Sequence, residues 1–155
     1  MKNKEPDTKI PMKERKIGGL GLFMVKKIMD YTEYEYQKEK NRFIIGKRFT
    51  IGGERWMWVK VEAADRLLTV KIDGRIDTIT APVLEGELKN SITKDIESLI
   101  FDFEKVEYMS SAGIRVIMGA DKVMSRQGDM KLIHVNQEIM EMLDMTGLVD
   151  FLTIE

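Results

Sequence analysis

A strand that runs straight into a helix through two hydroxyls and two small residues constrains this chain more than any other feature. Residues 98–103, Ser-Leu-Ile-Phe-Asp-Phe, form an apolar run with β-branched and aromatic side chains, the pattern of a buried strand. Val106-Glu107-Tyr108-Met109-Ser110-Ser111-Ala112-Gly113 follows. A helix is then expected over 111–125, with Gly113, Val116, Ile117, Ala120, Val123 and Met124 turned inward at i, i+3/i+4, i+7 spacing. Ser110 or Ser111 therefore stands at a helix N-terminus, where unpaired backbone N–H groups and the positive dipole end favour an added negative charge. Serine is also a preferred N-cap, so the plainest use of either hydroxyl is to satisfy an orphan amide.

Composition narrows the chemistry available around that junction. The 155 residues hold no cysteine, which removes disulfides, thiolate metal sites and cysteine nucleophiles. A single histidine, His134, argues against a histidine zinc site or a hydrolase triad, so no metal and no catalytic residue is assigned. No segment approaches a membrane span, and the polar start lacks the apolar stretch of a signal peptide. A cytoplasmic chain with no membrane partner is the expectation. Charge is divided unevenly. Residues 1–55 hold 14 Lys/Arg against 8 Asp/Glu, and residues 56–155 hold 11 against 18, so a net +6 segment precedes a net −7 segment.

That division suggests two units. Residues 1–16 are lysine-rich, carry Pro6 and Pro11, and read as a flexible N-terminus. A glycine turn with Gly18, Gly19 and Gly21 opens a short helix through Asp30. Residues 32–36 and 42–49 follow as a hairpin, and 51–55 read as a linker. From Trp56 the chain restarts. Residues 59–63 and 67–72 alternate as a second hairpin, 74–80 read as a loop, and Pro82 opens a helix bearing Leu84, Leu88 and Ile92. After the strand and helix at the serine junction come a strand at 130–134 and a helix capped by Asn136 and stopped at Gly147. A short edge strand at 151–154 closes the chain. The order argues an α/β fold, a mixed sheet covered by helices.

The 10–50 segment resembles the C-terminal end of a histidine-kinase-like ATPase domain, closest to the anti-sigma-factor serine kinases. The resemblance rests on the glycine turn, Phe23-Met24-Val25-Lys26-Lys27-Ile28-Met29-Asp30, Tyr34-Glu35-Tyr36 and Asn41-Arg42-Phe43-Ile44-Ile45. It implies that Gly18, Gly19 and Gly21 are a vestigial nucleotide-binding loop. The family's magnesium-holding Asn, its general base and its Asp-x-Gly-x-Gly loop have no counterpart in residues 1–50. The expectation is thus a partial domain of helix plus hairpin over 17–50, holding no cofactor by itself.

Residues 56–155 resemble the STAS family of sulfate-transporter and anti-sigma-factor-antagonist domains, through Gly74-Arg75-Ile76-Asp77-Thr78, Ala81-Pro82, Phe101-Asp102-Phe103 and Tyr108-Met109-Ser110-Ser111-Ala112-Gly113. The resemblance implies a STAS (SpoIIAA-like) mixed β-sheet with helices, here with a short N-terminal α-β-β appendage. It implies an anti-sigma-factor antagonist that works by phosphorylation-controlled partner switching. Its partners would be an anti-sigma factor and serine kinase of the histidine-kinase-like ATPase family, and a serine phosphatase. The phosphorylated serine falls on Ser111. Ser110 is the alternative, because many family members carry an acid where Ser110 stands and a serine where Ala112 stands. Asp77, Met109 and Gly113 make up the neighbourhood, and Ile114, Arg115 and Met118, off the inward stripe, are the expected partner contacts. The alternative for the whole chain is a fragment of an ATP-binding serine kinase fused to a STAS domain, with nucleotide binding in the full-length protein.

Two readings from other classes stand beside these: a nucleotide-using enzyme built on the glycine turn, and a nucleic-acid module built on the basic first segment. The second would need a steep salt dependence of binding. The first is tested by calorimetry with MgATP. The chain is expected to bind it no tighter than millimolar, and micromolar binding would reinstate the enzyme reading.

Overall fold

A hydrophobic row that crosses four strands explains why the middle of this chain becomes a sheet. The computed structural model describes residues 29–37, 40–51 and 55–155. Seven strands lie side by side in chain order: β1 (Tyr31–Gln37), β2 (Lys40–Ile51), β3 (Arg55–Ala64), β4 (Leu67–Ile76), β5 (Ser98–Met109), β6 (Asp129–Ile133) and β7 (Thr153–Ile154). The first three pairings are antiparallel and the last three parallel, so the sheet is mixed. Register places Val61 against Val70, Val70 against Phe101, and Phe101 against Leu132. Paired residues share a face, and all four side chains are buried. Burial of one such side chain contributes about 1.5–3 kcal/mol.

Among the described residues three helices cover that face: α1 (Ala81–Ser91), α2 (Ser111–Met124) and α3 (Gln137–Met145). They bury Ala81, Leu84 and Leu88; Gly113, Val116, Ile117, Ala120 and Met124; and Ile139 and Leu143. The stripe expected for α2 is thus found except at Val123, which is 44% exposed. It sits ten residues beyond Gly113, where the 3.6-residue period has carried it off the buried arc. Asn136 caps α3 by accepting from Ile139 N–H at 2.9 Å, and its amide also donates to Val106 O at 2.8 Å, pinning α3 to β5. Gly147, at φ +69°, ends the helix in the left-handed conformation that glycine adopts at least cost.

Several boundaries differ from the sequence expectation, among them the closing edge strand, which is only Thr153–Ile154. The loop expected over 74–80 starts only after Ile76, because Gly74, at φ +107°, sits in an irregular stretch of β4 rather than in a turn. The segment 106–109 is strand, since β5 continues through irregularities in its pairing with β4 as far as Met109. Ile51 and Arg55, expected in a linker, are opposite one another at the ends of β2 and β3, which pair over ten positions. The expected hairpin of β1 and β2 is present and extends the sheet beyond β3.

Charge helps hold that seam. Glu62 on β3 accepts from Arg42 on β2 at 2.9 Å and lies 3.0 Å from Lys60 Nζ. Burial alone pushes its carboxyl up, but the bonds to Arg42 and Lys60 and the charges of Lys60 and Lys71 outweigh it and hold the pKa below the ordinary value. The main core nevertheless begins at Met57. A chain of residues 55–155 is therefore expected to unfold cooperatively in urea. It should also self-associate with rising concentration in sedimentation, because the β3 backbone loses its β2 partner. A chain that melts without cooperativity would make the hairpin part of the core.

Candidate functional site

Because β4, β5 and β6 are parallel, the segments that leave them, 77–80, Ser110 and 134–136, emerge at one end of the sheet. Ile76 and Met109 are register partners and the last residues of their strands. The next residues, Asp77 and Ser110, stand just beyond them, and Ser110 N–H donates to Ile76 O at 2.8 Å. The serine junction is thereby tied to the end of β4.

The two serines have different work. Ser110 is extended (φ −95°, ψ 174°), its Oγ accepts from Ala112 N–H at 3.2 Å, and its carbonyl accepts from Ile114 N–H at 3.0 Å. It is the N-cap of α2 and is half-buried. Ser111 is the first residue of the helix and is exposed, and its hydroxyl has no hydrogen-bond partner among the described residues. Gly113 sets how closely the helix approaches. A Cβ there would lie 2.6 Å from Met109 Cγ, 2.8 Å from Ile76 Cγ2 and 3.1 Å from Ile76 O. Only glycine lets α2 press onto the end of β4 this tightly.

Asp77 is buried, and its carboxylate accepts from the amides of its own loop. Oδ1 accepts from Ile79 N–H at 2.9 Å and Thr80 N–H at 3.1 Å. Thr80 Oγ1 accepts in return from Asp77 N–H at 2.9 Å and donates to Arg75 O at 2.7 Å. This reciprocal pair closes the turn that leads into α1, whose N-cap is Thr80. Of the expected partner contacts, Arg115 is exposed, while Ile114 and Met118 are half-buried against the core.

A profile of the STAS domain matches residues 59–155. The chain belongs to the STAS domain family. The anti-sigma-B factor antagonist of Bacillus subtilis is 32% identical over 97 residues, covering 62% of this chain and 88% of that protein. An anti-sigma factor antagonist from Mycobacterium paratuberculosis superposes with a TM-score of 0.59 at 21% identity, over 63% of this chain and 84% of that one. The Bacillus cell fate determinant SpoIIAA, in its phosphorylated form, gives 0.52 at 15% identity, over 63% and 90%. The structural likenesses establish the shared fold.

Within this STAS domain several features near the site were not read from the sequence. Arg75 and Tyr108 are register partners, and the guanidinium lies 4.3 Å from the ring centroid. Such a contact contributes about 0.5–1 kcal/mol at an exposed site. With Ile79 and Tyr108, 39% and 41% exposed, it adds apolar surface at the serine end. His134, at φ +56°, places Nδ1 2.9 Å from Oδ1 of the buried Asp102, a structural contact between the end of β6 and β5. The opposite sheet face bears a hollow of about 280 Å³ lined by Trp58, Lys60, Lys71, Asp102 and Lys105. Two of its lysines already face carboxylates, Lys60 at Glu62 and Lys71 at Asp102. Among the described residues no cluster of three acidic or histidine side chains suits a metal, and no described helix is long and apolar enough to cross a membrane. Gly18, Gly19 and Gly21 lie outside the described residues.

The division of labour between the serines has a direct readout in urea unfolding. Ser110→Ala is expected to cost about 1 kcal/mol, as loss of an N-cap does. Ser111→Ala should be near neutral, and Gly113→Ala should cost about 1–3 kcal/mol by overpacking against Ile76 and Met109. Equal costs at the two serines would mean that the cap is shared.

Proposed function

We propose that this STAS protein is an anti-sigma-factor antagonist controlled by phosphorylation of Ser111. The observation that carries the reading is the free, exposed hydroxyl of Ser111 beside a Ser110 hydroxyl already committed to the cap. A kinase can take the first without unmaking the helix start. The role itself is supported by relatives named as anti-sigma factor antagonists, and SpoIIAA, so named in its unphosphorylated structure, was also solved in a phosphorylated form.

In this reading the protein acts by binding and not by catalysis. Unmodified, it docks the serine end and the outer side of α2 on an ATPase-type anti-sigma factor that is also the serine kinase, and the sigma factor is released. Arg115, Ile114 and Met118 are contacts, joined by Ile79 and Tyr108. A phosphate adds close to two negative charges and three acceptor oxygens at the first helical position. There the helix tolerates the charge while the docked partner does not, so association falls and folding does not. A phosphatase restores the binding form, and all of this takes place in the cytoplasm. Residues 17–50 are proposed as a piece of the same ATPase family, which in a longer protein would carry the nucleotide-binding function.

The test is a comparison of wild type, Ser111→Ala and Ser111→Glu, titrated against the cognate anti-sigma kinase, with melting temperature as the control for folding. Wild type and Ser111→Ala should bind alike. Ser111→Glu should bind at least tenfold more weakly, since an unpartnered interfacial charge costs a few kcal/mol. Three equal affinities with unchanged melting would remove the switch.

A further inference from the structure

The outer side of α2 carries a row that the switch does not by itself account for. Ser111, Arg115, Gly119, Lys122 and, just past the helix end, Arg126 follow one another at steps of four, four, three and four residues, and all are exposed. Residues at such spacings lie above one another on a helix. No carboxylate stands in the row, and Asp121 is half-buried beside it. None of Arg115, Lys122 and Arg126 forms an ion pair among the described residues. The space around Gly119 is open, with nothing within 4 Å of where a Cβ would stand. In a segment of net charge −7 this is a local basic stripe that begins at the proposed phosphoacceptor.

We infer that Arg115 is the internal counter-ion of phosphorylated Ser111. The inference rests on the assignment of Ser111 as the modified residue and names what the phosphate does inside the chain. Side chains four apart on a helix have their Cβ atoms about 6 Å apart, within reach of a guanidinium and a phosphate. The other charges at this end are less available. The Asp77 carboxylate is bound to the amides of Ile79 and Thr80, the Arg75 guanidinium lies over Tyr108, and Glu107, exposed on β5, is itself an acid. Among the described residues, Arg115 is a cation without an ion pair one turn from the hydroxyl. Modification then does two things together. It adds a dianion to the docking surface, and it withdraws Arg115 from the head of the basic stripe, so that a partner with an acidic docking face loses its strongest point of attraction.

The experiment needs no kinase and no partner. The full chain is made with phosphoserine incorporated at position 111, and the second ionisation of the phosphate is followed by phosphorus NMR. A phosphoserine titrates near pH 6, and pairing with a guanidinium favours the dianion and lowers that value. The chain with Arg115 is expected to titrate about half a unit lower than its Arg115→Gln variant. Arg75→Gln and Lys122→Gln should titrate like the parent, and all three variants should keep a cooperative thermal transition, with Arg75→Gln lowered by a few degrees as its contact with Tyr108 is lost. Identical titrations with and without Arg115 would overturn the inference, as would a shift found only in Arg75→Gln. Either result leaves the partner-binding comparison at Ser111 untouched. Conversely, failure of that comparison leaves the ion pair measured here in place.

Discussion

The close approach of α2 to the end of β4 governs the rest of the serine site. Gly113 permits it, since any Cβ at that position would meet Met109 and Ile76. The hydrogen bond from Ser110 N–H to Ile76 O locks it. With those two contacts in place the helix must begin at Ser111, and its first exposed side chain must leave the sheet where β4 and β5 end. The buried row of Val61, Val70, Phe101 and Leu132 supplies the platform, and the glycine contact decides where the Ser111 hydroxyl stands on it.

Electrostatics then separates two neighbouring residues of the same type. Ser110 turns its oxygen toward a backbone amide and is consumed in starting the helix, whereas Ser111 turns outward. Asp77 shows the same economy. Buried next to the junction, it accepts from the amides of its own loop and so helps to shape the turn into α1. Among the described residues, the exposed groups at this end include the cation of Arg115 and the apolar surface of Ile79 and Tyr108, alongside the acid of Glu107. A surface of that kind favours a partner bearing acidic and apolar groups, and it is disturbed most by a new negative charge.

Much of this was legible in the residues, and the failures have physical causes. The strand at 98–103, the serine junction and the inward stripe of α2 are strong periodic signals that tertiary packing reinforces. Asn136 and Gly147 are side-chain and backbone devices that act locally, so they too could be read directly. The second half of β5 was missed because Glu104, Lys105 and Glu107 break the alternation, and its pairing with β4 runs through irregularities that a period-two template does not contain. Gly74 was expected to open a loop although it lies within a strand. The stacking of Arg75 on Tyr108 depends on register between strands more than 20 residues apart in sequence, which no local pattern encodes. The Asp77 and Thr80 pair was visible in hindsight as two short polar residues ahead of a proline-bearing helix start, which bond nearby amides in turns.

The central claim is that one of two adjacent serines is the acceptor because the other is occupied by the helix. Fragmentation mass spectrometry of the intact chain after incubation with its anti-sigma kinase and ATP tests this most directly. The account predicts a single phosphate, located on Ser111 in the wild type and absent altogether from Ser111→Ala. A phosphate located on Ser110, or one that persists in Ser111→Ala, would contradict it.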